Sequence, residues 1–226
     1  MTPAIVNPNS RLANALNDSL PQTQCTRCGY PDCHSYAEAI SQGTAPINQC
    51  PPGGQEGIDR LARLTGQPTQ TLNPVHGAES PRLLAVIDET WCIGCTLCLK
   101  ACPVDSIIGG PKLMHTVVDA QCTGCELCIP ACPVDCISLR PVTGERTGWD
   151  AWSQPQATQA RDRYAFHQFR SARDQGEQVA RLEASASAAA RAPQGGPGDE
   201  LSGAPAQRKS TAIEAVLARA RAARQR

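Results

Sequence analysis

Eight cysteines in the middle of the chain form two runs of the same spacing, Cys92-x2-Cys95-x2-Cys98-x3-Cys102-Pro103 and Cys122-x2-Cys125-x2-Cys128-x3-Cys132-Pro133. Zinc ribbons take four thiolates from two separated C-x2-C pairs around one tetrahedral ion. Three thiols at successive x2 spacings instead wrap one corner of an iron–sulfide cube, and the chain carries the fourth to a neighbouring cube. The spacing therefore groups Cys92, Cys95, Cys98 and Cys132 on one [4Fe–4S] cluster, and Cys122, Cys125, Cys128 and Cys102 on a second.

The two runs belong to an internal repeat with a period of 30 residues: 11 of 17 positions match when residues 91–107 are laid over 121–137. Each copy follows a short β-prone run ending in an acidic residue, 83–88 before the first and 115–119 before the second. Two equivalent halves imply a pseudo-two-fold unit of the two-cluster ferredoxin type. Gly94 and Gly124 precede the second cysteine of each run, where a missing Cβ lets backbone amides approach the sulfides. They are the candidate cofactor-binding residues. Pro103 and Pro133 suit a chain turning away from the cluster, at the start of a short helix.

A different quartet lies upstream: Cys25-x2-Cys28-x4-Cys33-x16-Cys50, followed by Pro51-Pro52-Gly53-Gly54. Its spacing fits a cluster held between loops and also fits zinc. Two amphipathic helical patterns flank it. One has Ser10 as N-cap with Leu12, Ala15 and Leu16 on a face; the other, 55–65, carries Ile58, Leu61 and Ala62 and stops at Gly66.

Thirteen cysteines in 226 residues with 2 Phe, 3 Trp and 3 Tyr make a poor apolar core. Ligation, not packing, is expected to hold the cysteine-rich part together, so the metal-free protein should be largely unfolded. The N-terminus has neither a basic start nor an apolar run, which argues against a secreted disulfide protein and for a reducing compartment. No apolar stretch approaches the ~20 residues of a membrane span. The formal net charge is zero, yet both cysteine-bearing segments, 1–80 and 81–140, are acidic. The basic excess sits in 205–226, at Arg208, Lys209, Arg219, Arg221, Arg224 and Arg226, where a solvated tail is the plain reading. Residues 157–190 read as a polar helix, 192–207 as a linker and 211–226 as a helix with a narrow apolar stripe.

Other chemistry is not encoded. No Rossmann or Walker glycine motif marks a nucleotide site. His34, His76, His115 and His167 have no second ligand at metal spacing and are expected to pack or face solvent. Cys136 aligns with Ser106 of the first copy and reads as a small buried residue near a cluster rather than a spare ligand.

The stretches PQTQCTRCGYPDC, SYAEAI, INQCPPGG, the two CPVD-containing runs, MHTV and RPV resemble, in that order, the B subunit of Rnf/Rsx-type ion-translocating electron transport complexes. The resemblance covers roughly residues 20–142. It implies an N-terminal [4Fe–4S] module ahead of the two-cluster domain, with Cys25, Cys28, Cys33 and Cys50 as ligands of a third cluster. The family's usual hydrophobic membrane-spanning start is not seen in this chain, so membrane contact is expected to be peripheral at most.

The expected fold is α+β. It comprises a small helical iron–sulfur module (1–70), a two-cluster ferredoxin domain (82–142) and an Ala/Arg-rich helical or disordered tail (143–226). The expected function is single-electron relay through three [4Fe–4S] clusters, with other subunits of an Rnf/Rsx-like complex as partners at the cytoplasmic face of the inner membrane. A free cytoplasmic ferredoxin with a soluble redox partner is the alternative. A zinc-stabilised protein using its basic tail on nucleic acid is the reading from a different class.

Overall fold

The computed structural model of the chain describes residues 8–191. The chain divides into two compact units, Met1–Gly176 and Glu177–Arg226, and every element below lies in the first except the end of the last helix. The expected linker at 192–207, the basic excess at 205–226 and the expected helix at 211–226 lie outside the described residues.

Three helices build the N-terminal part. α1 (Pro8–Asp18) starts two residues before Ser10, so Ser10 lies inside the helix instead of capping it. The fixed φ of Pro8 suits a first helical turn. α2 (Cys33–Ser41) carried no expectation from the sequence. The Asp32 carboxylate caps it, accepting from the Ser35 amide at 2.7 Å. α3 (Gly54–Thr65) ends where expected, at Gly66 in the left-handed region with φ 69°. Leu16, Tyr36, Ile40, Ile58 and Leu61 from these helices form one core with Leu20 and Ile47 from the connecting segments. Tyr36 brings a polar end into that core, and its hydroxyl donates to Pro46 O at 2.8 Å and accepts from Gln49 N at 3.1 Å.

The cysteine repeat folds into β1 (Leu83–Ile87), α4 (Leu97–Ala101), β2 (Ile107–Ile108), β3 (Thr116–Val117) and β4 (Ile137–Pro141). β1 pairs antiparallel with β4, in register from Leu83 opposite Pro141 to Ile87 opposite Ile137. β2 pairs with β3 in the same sense. Each ribbon thus joins the entry strand of one copy to the exit strand of the other. Outside the strands the symmetry persists: Asp88 N donates to Cys136 O at 2.8 Å, and its counterpart Val118 N donates to Ser106 O at 2.7 Å. Pro103 follows α4 and opens a turn; it does not start a helix. Asp105 and Asp135 complete the two turns with φ of 50° and 51°.

After β4 the chain makes α5 (Gly148–Ala151) and α6 (Gln154–Arg191). α6 begins three residues ahead of the expected helix because Ser153 and Gln156 form a capping box. Gln156 Oε1 accepts from Ser153 N at 2.9 Å while Ser153 Oγ accepts from Gln156 N at 3.5 Å.

This segment ties both parts together. Trp149, Trp152, Ala157 and Ala160 enter the core of the repeat domain. Trp152 Nε1 donates to Pro21 O at 2.8 Å, and the Arg60 guanidinium from α3 lies 3.8 Å over the Trp149 ring. Further along α6, Tyr164 Oη donates to Asp32 Oδ2 at 3.1 Å. Arg163 donates to Val104 O and Asp105 O at 2.7 and 2.9 Å. Among the described residues no helix is long and apolar enough to cross a membrane.

Trp152→Phe leaves Pro21 O without its donor and should cost about 1 kcal/mol. Trp152→Ala, which also opens the core, should cost about 3–5 kcal/mol. Urea unfolding followed by loss of visible absorbance compares the two.

Candidate metal centres

The loop of the first copy and the turn after Pro133 close around a cavity lined by Cys92, Cys95, Cys98, Cys132 and Cys136, with Ile87, Ile93, His115, Val134 and Ile137. A second cavity is lined by Cys102, Cys122, Cys125 and Cys128, with Ala85, Ser106, Ile107, Val117 and Leu139. The chain thus delivers Cys132 to the loop of the first copy and Cys102 to that of the second. Apart from the cysteines and the backbone, the walls are largely aliphatic, which keeps water away from whatever the thiols hold.

The upstream quartet is set between α1, α2 and the turn at Pro51–Gly53. Cys33 is buried, with Cys28 and Cys50 half-buried at the edge of the same apolar core. Around its first cysteine, Gln22, Gln24 and Thr26 alternate into the left-handed region with φ of 58°, 54° and 59°. Three non-glycine residues in that region within five positions cost of order 1–3 kcal/mol each and need local support. The support is a buried amide relay. Gln24 Oε1 accepts from Cys33 N at 2.9 Å, Gln24 Nε2 donates to Gln22 Oε1 at 2.9 Å, and Gln22 Nε2 donates to Asn17 Oδ1 at 2.9 Å. Alternating backbone of this kind turns amides inward, a concavity suited to an anionic group.

Burial dominates the electrostatics. It pushes the thiols of Cys28, Cys33 and Cys50 up, those of Cys125 and Cys128 up to about 12, and that of Cys98 up to about 11. Neighbouring thiols push in the same direction. Such thiols stay protonated on their own and become thiolates when a cation displaces the proton.

Cys132 differs. Burial works to raise it, but the amides of Val134, Cys136 and Asp135 and the Cys136 thiol outweigh burial and bring it below the ordinary thiol range. Cys136 goes the other way, up to about 12, through burial and the adjoining Cys132. The two sulfurs are 3.4 Å apart. In the other half Ser106 takes the place of Cys136, with its Oγ and its amide each 3.2 Å from Cys102 Sγ.

His115 is the residue that sequence reasoning missed. It is 1% exposed, and Nδ1 lies 3.3 Å from Cys98 Sγ. Nε2 is buried without a hydrogen-bond partner among the described residues. A thiolate only accepts, so the contact with Cys98 as thiolate requires the proton on Nδ1. The one available signal was the repeat itself: His115 aligns with Ala85, so one half carries a donor that the other lacks. Among the described residues no group of three or more His, Cys, Asp or Glu is disposed to hold a single metal ion.

The sequence is similar to known proteins in both of these regions. Residues 85–139 match the model of the 4Fe-4S dicluster domain, and residues 20–52 match that of a putative Fe-S cluster module. The chain is 57% identical over 144 residues to the B subunit of an ion-translocating oxidoreductase complex of Azoarcus sp., covering 64% of this chain and 78% of that one. The chain belongs to the family of these B subunits.

A relative of the same name from Serratia proteamaculans is 49% identical over 138 residues, covering 61% of this chain and 72% of that one. Another from Thiobacillus denitrificans is 56% identical over 98 residues, covering 43% and 52%. No solved structure matches. The chain is an iron–sulfur electron-transfer protein of this family, and both matched segments contain the cysteine runs described above.

Within it, the two modules meet at the loop of the second copy. Thr123, 4% exposed, donates through Oγ1 to Thr23 O at 3.0 Å, and Arg27 pairs with Glu126 at 2.5 Å. A cleft between them is lined by Cys25 on one side and Thr123, Gly124 and Glu126 on the other. The two candidate glycines have a reason beyond open access to sulfide. With φ of 67° and 70° they occupy the left-handed region, and a Cβ at Gly94 would meet Leu113 N at 2.6 Å and at Gly124 Leu83 O at 2.4 Å. The chain packed behind each loop demands them.

Gly124→Ala should therefore dislodge the second loop and lower bound iron by about four atoms per chain. Gly144→Ala has a comparable φ of 59° but open space around the new methyl. It should cost only about 1 kcal/mol and leave iron unchanged. Iron analysis of the two purified variants separates packing from backbone strain.

Proposed function

We propose that the chain relays single electrons through three [4Fe–4S] clusters as the B-type subunit of an Rnf-like complex, held at the cytoplasmic face of the membrane by the other subunits. The observation that carries it is the pair of cavities, each lined by three cysteines of one copy together with cysteine from the other, Cys132 and Cys136 in the first and Cys102 in the second. The proposed ligands are Cys92, Cys95, Cys98 and Cys132 in one, and Cys122, Cys125, Cys128 and Cys102 in the other. Cys25, Cys28, Cys33 and Cys50 hold the third, in keeping with the matched upstream module. When bound, each cluster takes up and releases one electron at a time.

The chain's own residues do the rest. Aliphatic walls from Ile87, Ile137, Val104 and Ile107 exclude water. Hydrogen bonds from His115, Ser106 and the amides after Pro133 neutralise negative charge on the ligand sulfurs. The division of labour follows the modules: residues 1–70 hold one site, 82–142 hold two, and the helical extension from 143 fixes them against each other.

Anaerobically purified protein should contain about twelve iron and twelve sulfide per chain; about eight would withdraw the upstream cluster. A tagged chain taken from gently solubilised membranes should bring further subunits with it, and recovery of the chain alone would refute membership of a complex.

His115→Leu should lower the midpoint potential of one cluster and leave the other two in place. An N–H···S bond stabilises the more negative, reduced form, and its loss removes that help. His115→Gln, which retains a donor, should recover part of the shift. An EPR-monitored redox titration reads both.

A further inference from the structure

The chain packed behind each cysteine loop carries a cation. Leu83 stands behind Gly124 and Leu113 behind Gly94, so the 30-residue period makes Arg82 the counterpart of Lys112. Lys112 is exposed, whereas Arg82 is half-buried. The Arg82 guanidinium lies over the Trp152 ring, 4.6 Å from its centroid, and Nη2 donates to Cys122 O in the second loop. Nε is buried without a hydrogen-bond partner among the described residues. The same side chain lines the cleft between the modules, with Cys25 from the upstream one and Thr123 and Gly124 from the second loop. One guanidinium thus borders a cysteine-bearing loop of each module. Its backbone is held in place: Arg82 N donates to Thr143 Oγ1 at 3.0 Å, and Arg82 O accepts from Val142 N at 3.1 Å.

The carboxylates nearby do not match this charge. A partly buried guanidinium is unfavourable unless an anion lies close to it. Asp119 acts on Arg82 but is exposed and also pairs with Arg140 at 3.7 Å. Glu79 accepts instead from Thr147 Oγ1 at 2.6 Å and Gln55 N at 3.0 Å. Glu126 pairs with Arg27 at 2.5 Å, so the other cation of the cleft is neutralised. Anionic sulfur is what remains to match Arg82. A cluster held by four thiolates is negative overall, and each electron added makes it more so. With Trp152 against one face of the guanidinium, water screens this attraction poorly.

We propose that Arg82 sets the potentials of two sites at once, that of the second loop and that of the upstream quartet. The proposal rests on the cluster assignment above. A single cation near both sites lowers the energy of an extra electron on either side. The two potentials therefore rise together, and neither site becomes a trap for an electron crossing between the modules. The first loop receives no such help, because its equivalent cation, Lys112, is surrounded by water. Internal symmetry is again the argument: the repeat supplies a cation behind each loop, and the upstream module and Trp152 bury only one of them.

The test is an EPR-monitored redox titration of the full, cluster-loaded chain, with iron and sulfide counted first. His115→Leu marks the first-loop cluster as the one whose midpoint it moves. R82Q removes the charge and keeps a donor for Cys122 O. It should lower the other two midpoints, each by about a tenfold loss in electron affinity, at low and high salt alike. R82K keeps the charge and loses the guanidinium fork, and its midpoints should stay within twofold of the parent. K112Q, the same change on the exposed counterpart, should leave all three within twofold.

Midpoints within twofold of the parent in fully loaded R82Q would overturn the proposal. So would equal losses in R82Q and R82K, since the fork and not the charge would then matter. If R82Q sheds iron, R82M, nearer to arginine in length, takes its place. Iron loss in both neutral variants would make Arg82 a support for the loop and overturn the proposal as well. A parent chain with about eight iron atoms would instead strike at the three-cluster reading. The role of Arg82 would then be decided on the second-loop cluster alone, against the first-loop cluster of the same chain.

Discussion

The exchange of Cys102 and Cys132 between the two copies is the constraint on which the rest of the repeat domain depends. A thiol that must reach the other loop forces the chain to cross between halves twice, and the antiparallel pairs β1–β4 and β2–β3 are the crossings. The matching bonds from Asp88 to Cys136 and from Val118 to Ser106 hold the two turns in equivalent positions. Such short ribbons bury little surface, so their persistence falls to the aliphatic side chains packed around them.

Symmetry sets up the two sites, and a few substitutions make them unequal. His115 in one half faces Ala85 in the other; Cys136 answers Ser106; Trp91 and Ile93 answer Gln121 and Thr123. An imidazole N–H is a stronger partner for a sulfur than nothing at all, and a hydroxyl is a stronger donor than a thiol. The halves therefore differ in how they stabilise negative charge and in what they offer to a neighbour. A symmetric pair would have no preferred direction for an electron; this pair has the means to acquire one.

The two modules do not share a continuous core. One packs around Leu16, Tyr36 and Leu61, the other around Leu84, Val104 and Ile137. The α5–α6 segment fixes them against each other, with Trp149 under Arg60 and Trp152 bonded to Pro21. Asp105 accepts from Arg170 at 2.6 Å and lies 2.8 Å from His167 Nδ1, extending the attachment along α6. Asp105 is partly buried, which alone would raise its carboxyl, yet Arg170 and His167 hold it below the usual carboxylate range. Tunnelling between sites needs fixed distances, and a strap that touches both modules supplies that rigidity better than a linker would.

Spacing in the sequence picked out the cysteines that gather around the two cavities, strands within 83–88 and 115–119, the helix that stops at Gly66 and the polar helix that follows the repeat domain. Each follows from local rules: ligand geometry, alternation, helical period, glycine at positive φ. Tertiary structure decided what lies between elements distant in the chain. Tyr164 reaches Asp32 and Trp152 reaches Pro21 across more than a hundred residues, and no periodicity records such a contact. His115 looked like an ordinary packed histidine because its partner, Cys98, is 17 positions away and is brought to it only by the loop. The glycines were legible as necessary, but the backbone of Leu113 and Leu83 that makes them so was not. Which atoms can bind a cluster depends on residue type and short spacing, and both are written in the sequence; only the folded chain decides which neighbours tune it and which face remains open.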